Sequence, residues 1–384
     1  CTSATRDLAA IMLLDSAFIQ EKDNDWVNKK RARKGLAPLQ PLYTIGDAQR
    51  AMNQFVGIAY NRWYRVSRNI EVLFNDAGHI LGSSSVTLRV EKDNRHYEYI
   101  GFTGDIGRPD RPILRDPQPM PQCDYLICES TYGGKEHQGL PNDEHDLLEI
   151  IKHTCIEKKG KLLIPAFSVG RTQELVYMMD RLETQGKLPK IPVYVDSPLA
   201  IDATDIFIMH PECYDEEILK YMQSDPNPFG FRRLKFTKKA EASKAINEYD
   251  GPAIIISASG MMQAGRIKHH LNNNIEDPKT TILVVGFCAE GTLGRLIRDG
   301  RDKVKIFGEE KQVKAEVVVM DSFSAHGDQQ EMLDFIHNQD RKKLKKIFLV
   351  HGEIDRQEAF KEGILNNGFK KVEIPVLDQS YNID

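Results

Sequence analysis

The sequence predicts an α/β protein built on mainly parallel sheet, and three observations carry that prediction. Short, wholly apolar runs recur along the chain, each closed by a polar residue or glycine. Stretches with helical spacing lie between them, and an alternating hairpin pattern precedes the series. Continuous apolar runs of this length suit strands buried on both faces, and strands alternating with helices make parallel sheet.

Taken in order, the hairpin comes first. Val86, Leu88 and Val90 alternate with polar residues, Asp93-Asn94 offers a turn, and Tyr97, Tyr99 and Gly101 return, as in an antiparallel pair. The apolar runs are Tyr125–Cys128, Leu162–Ile164, Val193–Val195, Ala253–Ile256, Ile282–Val285, Val317–Met320 and Ile347–Val350. Between them, 142–158 places Leu147, Leu148, Ile150 and Ile151 at helical spacing, and 171–185 aligns Leu175, Val176, Met179 and Leu182 before a stop at Gly186. Asp328 and Glu331 form a capping pair ahead of Met332, Phe335 and Ile336. Hairpin followed by parallel units implies a mixed sheet. Ligands of such sheets sit beyond the carboxyl ends of the strands, which singles out Glu129, Asp196, Ser257, Asp321 and His351.

Composition narrows the function classes. The 384 residues carry 52 Lys+Arg against 56 Asp+Glu, a net charge of −4, with 41% hydrophobic residues. That is ordinary globular usage, long enough for two domains, and it excludes a nucleic-acid binder held by a global basic field. The apolar run Leu8–Leu14 is seven residues long, too short to span a bilayer. The six cysteines contain no CxxC pair, consistent with reduced thiols in the cytoplasm. Two basic clusters, Lys29, Lys30, Arg31, Arg33, Lys34 and Arg341, Lys342, Lys343, Lys345, Lys346, contain no interleaved aromatic residue and read as solvated faces.

Four segments concentrate chemistry: DAGHILGS around His79, FTGDIGR around Asp105, DSFSAHGD around His326 and VHGE around His351. In each, a His or Asp stands beside glycine or another small residue at a strand end. Dispersed imidazoles and carboxylates of this kind suit Zn²⁺ or a related ion. Taken singly, each is as well explained as a satisfied polar residue or a turn residue. The loop Ser257-Ala-Ser259-Gly260 is small enough for its amides to approach a phosphate, with Arg171 nearby in the pattern; a tight turn and a helix-start ion pair are the alternatives.

Together with ESTYG at Glu129, these segments resemble, in order, the signatures of the metallo-β-lactamase-fold β-CASP nucleases, the group of the pre-mRNA 3′-end cleavage endonuclease and its prokaryotic relatives. IPAFSVGRTQEL, VDSPLA, SASGMMQAGRIKHHL and GFCAEGTLGRLI agree as well. The resemblance implies a lactamase-like αββα domain from 1–132 and 321–384, with a β-CASP domain inserted at 133–320. It further implies that His79 ligates one zinc, Asp105 bridges two, His351 ligates the second, and Glu129 with His326 delivers a proton to the departing oxygen. Family members with histidine at the position of His351 are RNA-directed, so the resemblance implies RNA as the substrate, single-stranded to thread a cleft between two domains; internal cutting, with or without cutting from an end, is the expected action. Implied partners are that RNA and, as a candidate, a second copy of the chain, with no membrane.

The family's HxHxDH signature has no counterpart, since no His-x-His occurs in the sequence. The expectation is a chain that lacks part of its lactamase-like domain and is inactive alone. A catalytically silent RNA-binding homologue and a hydrolase of small esters or thioesters are the alternatives.

Overall fold

The computed structural model describes residues 1–92, 96–137, 143–320 and 324–383. The expected Asp93-Asn94 turn and the strand-end Asp321 lie outside the described residues.

The first five strands are β1 (Tyr64–Ser67), β2 (Ile70–Asp76), β3 (Ser84–Glu91), β4 (Tyr97–Phe102) and β5 (Tyr125–Glu129). Alternation from Val86 to Tyr99 gives the antiparallel pairing expected, with Leu88 opposite Ile100. Then follow β6 (Lys161–Pro165), β7 (Val193–Val195), β8 (Leu234–Phe236), β9 (Ala253–Ser257), β10 (Thr281–Val284), the ribbon strands β11 (Lys303–Ile306) and β12 (Glu309–Gln312), β13 (Glu316–Val319), β14 (Lys346–Val350) and β15 (Val372–Glu373). Two main sheets result, ordered β1-β2-β3-β4-β5-β14-β15 and β13-β10-β6-β9-β7-β8. The chain thus leaves the first sheet after β5, builds the second, and returns at β14.

The second sheet is parallel throughout. Leu162, Ile164, Ile254 and Ile256 enter one core, which also holds the helix Arg171–Thr184 through Leu175, Val176 and Met179. Leu163, Ile255, Ile282 and Val284 enter the core on the opposite face. Continuous apolar runs are required because both faces are covered. The run 317–320 departs from that rule: β13 pairs only with β10 at the sheet's edge, and Val319 is 36% exposed.

The first sheet is different. Its β5 and β14 lie parallel, and Leu126, Cys128, Ile347 and Leu349 pack with Met332, Ile336, Phe360 and Ile364 of the helices Gln329–Ile336 and Ile354–Asn366. On the other face, Ile70, Phe74, Val86, Leu88, Val90, Ile100 and Ile127 are only half-buried and Phe102 is exposed, while the polar Ser85 and Thr87 of the covered face are fully buried.

The apolar run Leu8–Leu14 is part of a 30-residue helix, Ser3–Ala32, capped by Thr2. Its Ala4 and Leu8 join Leu81 and Ile113 in the same core as the second sheet, so this helix bridges the two sheets. Among the described residues no helix is long and apolar enough to cross a membrane.

Candidate metal and proton-transfer site

Three loops at the carboxyl end of the first sheet are stitched together by their backbones. The Gly107 amide donates to the Ala77 carbonyl at 2.7 Å, and the Gly327 amide donates to the Ile106 carbonyl at 2.8 Å. A Cβ on Gly107 would overlap the Gly78 carbonyl, so only glycine permits this approach. Gly82, at φ 81°, closes the His79 turn, and its carbonyl accepts from both Thr2 and Thr5 at 2.8 Å. The first helix is thereby anchored on the loop that carries His79. Parallel pairing of β5 with β14 sets Glu129 opposite Val350, so His351 emerges beside Glu129 although 222 positions separate them in the chain.

Five side chains from five segments meet here. Asp105 faces two histidines with its two oxygens: Oδ1 is 3.0 Å from His351 Nδ1 and Oδ2 is 3.7 Å from His79 Nε2. Glu129 Oε2 is 3.2 Å from His326 Nδ1. The rings of His79 and His326 are 4.4 Å apart, and those of His326 and His351 are 5.9 Å apart. Candidate ligand atoms of His79, Asp105 and His326 lie within 4.8 Å of one another, as do those of Asp105, Glu129 and His351.

Burial sets the charges. Desolvation, followed by the neighbouring His326, pushes the His79 imidazole down to about 4. It is neutral at pH 7, with a lone pair to give. Its Nδ1 is buried without a hydrogen-bond partner among the described residues. A neutral imidazole whose Nε2 faces the Asp105 carboxylate, beside the His326 ring, fits the donor chemistry of zinc. Burial alone would raise Glu129, but hydrogen bonds from His326, Thr131 and the Ile106 amide hold it below the ordinary glutamate range. For His326 burial works against the charged form, and Glu129 and Asp105 overcome it, raising the imidazole above its usual value. The pair is therefore a buried carboxylate that favours the charged form of a partly exposed imidazole.

Thr131 was not singled out by the sequence. Its hydroxyl donates to Glu129 Oε2 at 2.6 Å and lies 3.2 Å from His351 Nδ1. It joins the Glu129–His326 pair to the histidine beside Asp105. Its place two residues past Glu129 in ESTYG was the available signal, but a threonine after a strand reads as an ordinary turn residue.

The expected phosphate loop divides. Ser259 is half-buried, and Phe167 packs on Gly260 at the position a Cβ would take. Phe167 lies in the loop after β6, and Gly170 of that loop borders Ile80, the neighbour of His79. Ser257 is buried, its hydroxyl donating to the Asp196 carbonyl at 2.8 Å. Arg171 is buried and ion-paired with Glu174, beside Arg111 and Asp143. Ser257 and Arg171 are thus committed to protein partners, the turn and helix-start alternatives of the sequence reading. Asp196, a strand-end candidate, is fully buried among Ser243, Arg266 and His270, far too enclosed to meet a substrate.

Residues 172–297 match the Beta-Casp domain family, and residues 310–375 match the Zn-dependent metallo-hydrolase RNA specificity domain family. The chain is 33% identical over 318 residues to ribonuclease TTHA0252 of Thermus thermophilus, covering 83% of this chain and 70% of that protein. It is 34% identical over 318 residues to an RNase J-like protein of Methanocaldococcus jannaschii, covering 82% and 71%. To the transcription termination factor FttA of Methanosarcina mazei it is 30% identical over 363 residues, which is 92% of this chain and 54% of that factor, so the chain spans about half of FttA. With two domain matches in this order and two relatives covered over more than two thirds of their length, the chain belongs to the β-CASP family of metallo-β-lactamase-fold ribonucleases.

Proposed function

We propose that the chain carries the greater part of an enzyme that hydrolyses phosphodiester bonds of single-stranded RNA, internally and also from an end, in the processing or decay of cytoplasmic RNA. The observation that supports this most directly is Asp105, whose two oxygens address two different histidines, as a carboxylate shared between two zinc ions would. In this reading His79 and His351 would each help to hold an ion, and Asp105 has a carboxylate oxygen to offer on the side of each. When bound, the ions supply a strong nucleophile at neutral pH and positive charge for the phosphoryl oxygens.

The protein's own residues handle the proton. Glu129 stays ionised because Thr131 and the Ile106 amide donate to it. It holds His326 through Nδ1, which leaves Nε2 as the acid that protonates the departing oxygen. Ser259 and Gly260, carried toward the first sheet by Phe167, receive the phosphate backbone, while Ser257 and Arg171 hold that loop and the start of its neighbouring helix. Residues 1–132 and 321–384 form the lactamase-like unit and 133–320 the inserted one, in keeping with the two sheets. The relatives' names as ribonucleases and as a termination factor agree with RNA as substrate.

The test pairs two variants in the complete protein. His351→Ala and His326→Ala should each reduce cleavage of end-labelled single-stranded RNA by at least about a hundredfold, and elemental analysis should find less zinc in His351→Ala only. Equal zinc loss in both variants would make His326 a ligand and reject the proton-donor assignment.

A further inference from the structure

The second basic cluster, Arg341 to Lys346, lies in the turn before β14, and the Lys345 amide donates to the Asp124 carbonyl at 2.7 Å. Sequence supplies no aromatic residue there, but the fold does. On the covered face of the first sheet, at the end away from the candidate site, an open cleft of about 710 Å³ is lined by Trp63, Arg89, Tyr97, Tyr99, Asp124 and Lys343, among others. Tyr97 and Phe102 are five residues apart on β4, so the cleft lies roughly 17 Å or more from the metal-binding end.

Its side chains are arranged as a stacked platform. The Arg89 guanidinium stands 4.6 Å from the Trp63 ring centre and 5.1 Å from that of Tyr97, and Trp63 meets Tyr99 edge-on at 6.3 Å. Glu71 holds Arg89 in place through its Nε at 2.7 Å. Cross-strand register accounts for the grouping, since Glu71, Arg89 and Tyr99 are successive neighbours across β2, β3 and β4. A purely structural strut tying three strands would need no opening, yet this one borders an open cleft and Tyr97 is 37% exposed.

Charge separates the candidate occupants. Lys345 is engaged by Glu98 and Asp124, and Lys346 by Glu373. Among the described residues no ion pair is shown for Lys342 or Lys343, nor for Arg62 and Arg68 flanking Trp63 and β1. A platform of π faces and a planar guanidinium, with Lys343 in the same lining, is complementary to nucleobases joined by phosphates.

We propose that this cleft is a second binding surface for single-stranded RNA, at which bases stack on Trp63 and Tyr97 and Lys343 meets the phosphate backbone. It rests on the nuclease reading only for its biological purpose, which is to hold a long RNA while another part occupies the cleavage site. Substrates that reach both surfaces bind more tightly than short ones.

Trp63 is itself the reporter, because the chain has two tryptophans and Trp26→Phe leaves one. Metal-free Trp26→Phe protein is titrated with a fluorescein-labelled oligouridylate, reading Trp63 emission and label anisotropy together. Saturable quenching of Trp63 is expected, weakened about tenfold by Tyr97→Ala or Lys343→Ala, with the cleavage rate of a short RNA unchanged in both variants. Anisotropy that rises while Trp63 emission stays flat would overturn the proposal and leave the nuclease reading intact. Quenching by polyglutamate but not by RNA would overturn it in favour of an acidic protein partner. Quenching by RNA in the complete protein of the cleavage test, together with no RNA cleavage by that protein when loaded with metal, would support this surface and reject the nuclease reading.

Discussion

His351 sits at φ 52°, in the left-handed region that a histidine seldom adopts. The cost is on the order of 1 kcal/mol. In return, the chain turns sharply at the end of β14 and brings Nδ1 to Asp105. Strain kept at such a point is an argument for a role. Asp180 is a residue whose environment works against it for a different reason. It is 1% exposed, and burial, with Tyr221 donating at 2.6 Å, leaves its carboxyl raised to about 6. The native state therefore binds the proton more tightly than the unfolded chain. Stability from this group is complete below about pH 4 and is lost as pH rises through about 6. Asp180→Asn, which keeps an acceptor for Tyr221, should raise the unfolding free energy measured by urea titration at pH 8 by on the order of 2 kcal/mol and have no such effect at pH 4. An equal gain at both pH values would assign it to packing instead of ionisation. His79, Asp105, His326 and His351 could be picked from the sequence because each stands next to a glycine or small residue at a strand end. Thr131 and Asp180 could not, because what marks them is the neighbour that tertiary packing provides.

Where elements meet, one buried carboxylate connects four of them. Asp196 follows β7, and its oxygens accept from Ser243 of the helix Ala240–Glu248 at 2.6 Å, from His270 of the helix Ile267–Asn274 at 2.7 Å, and from Arg266 at 2.6 Å. Its carbonyl takes the Ser257 hydroxyl at the end of β9. Burial would raise this carboxyl, and the three donors hold it below its usual range instead. Asp196→Ala would leave Arg266 and His270 facing a void, so it should destabilise the protein by about 3 kcal/mol in urea unfolding and loosen the Ser257–Gly260 turn. A loss below about 1 kcal/mol would show that the network carries little of the second sheet's stability. The sequence rule that places ligands past strand ends picked Asp196 for a site, and the same position serves here as an internal tie. Apolar runs marked five strands of the second sheet and missed β8, whose Lys235 and Phe236 are exposed. Periodicity failed on the helix Ser3–Ala32, whose charges and apolar residues are spread around its circumference, with Ala4, Leu8 and Ala17 its buried positions.

At the scale of the molecule, the half-covered face of the first sheet and the site at its rim belong together. Ile70, Phe74, Val86, Leu88, Val90, Ile100 and Ile127 on the apolar side of β2 to β5 are only half-buried and Phe102 is exposed, although Val72 and Tyr125 on the same side are buried. A sheet of this kind is completed by another layer. Phe102 and Glu129 end two of these strands, so the metal-binding loops stand at the edge where that layer would join. The ligand arithmetic points the same way. Each candidate group offers three donor residues, and the two groups share Asp105, whereas zinc takes four ligands and structural sites supply roughly 10 kcal/mol or more. Two ions cannot both be satisfied by these side chains. The 384-residue chain should therefore take up zinc well short of two equivalents in competition with a chelator, and the exposed face should bind a hydrophobic dye while near-ultraviolet circular dichroism shows packed aromatics. Two zinc ions per chain that survive such competition would mean that the donors described here suffice, and the site would then have to be complete without the added layer.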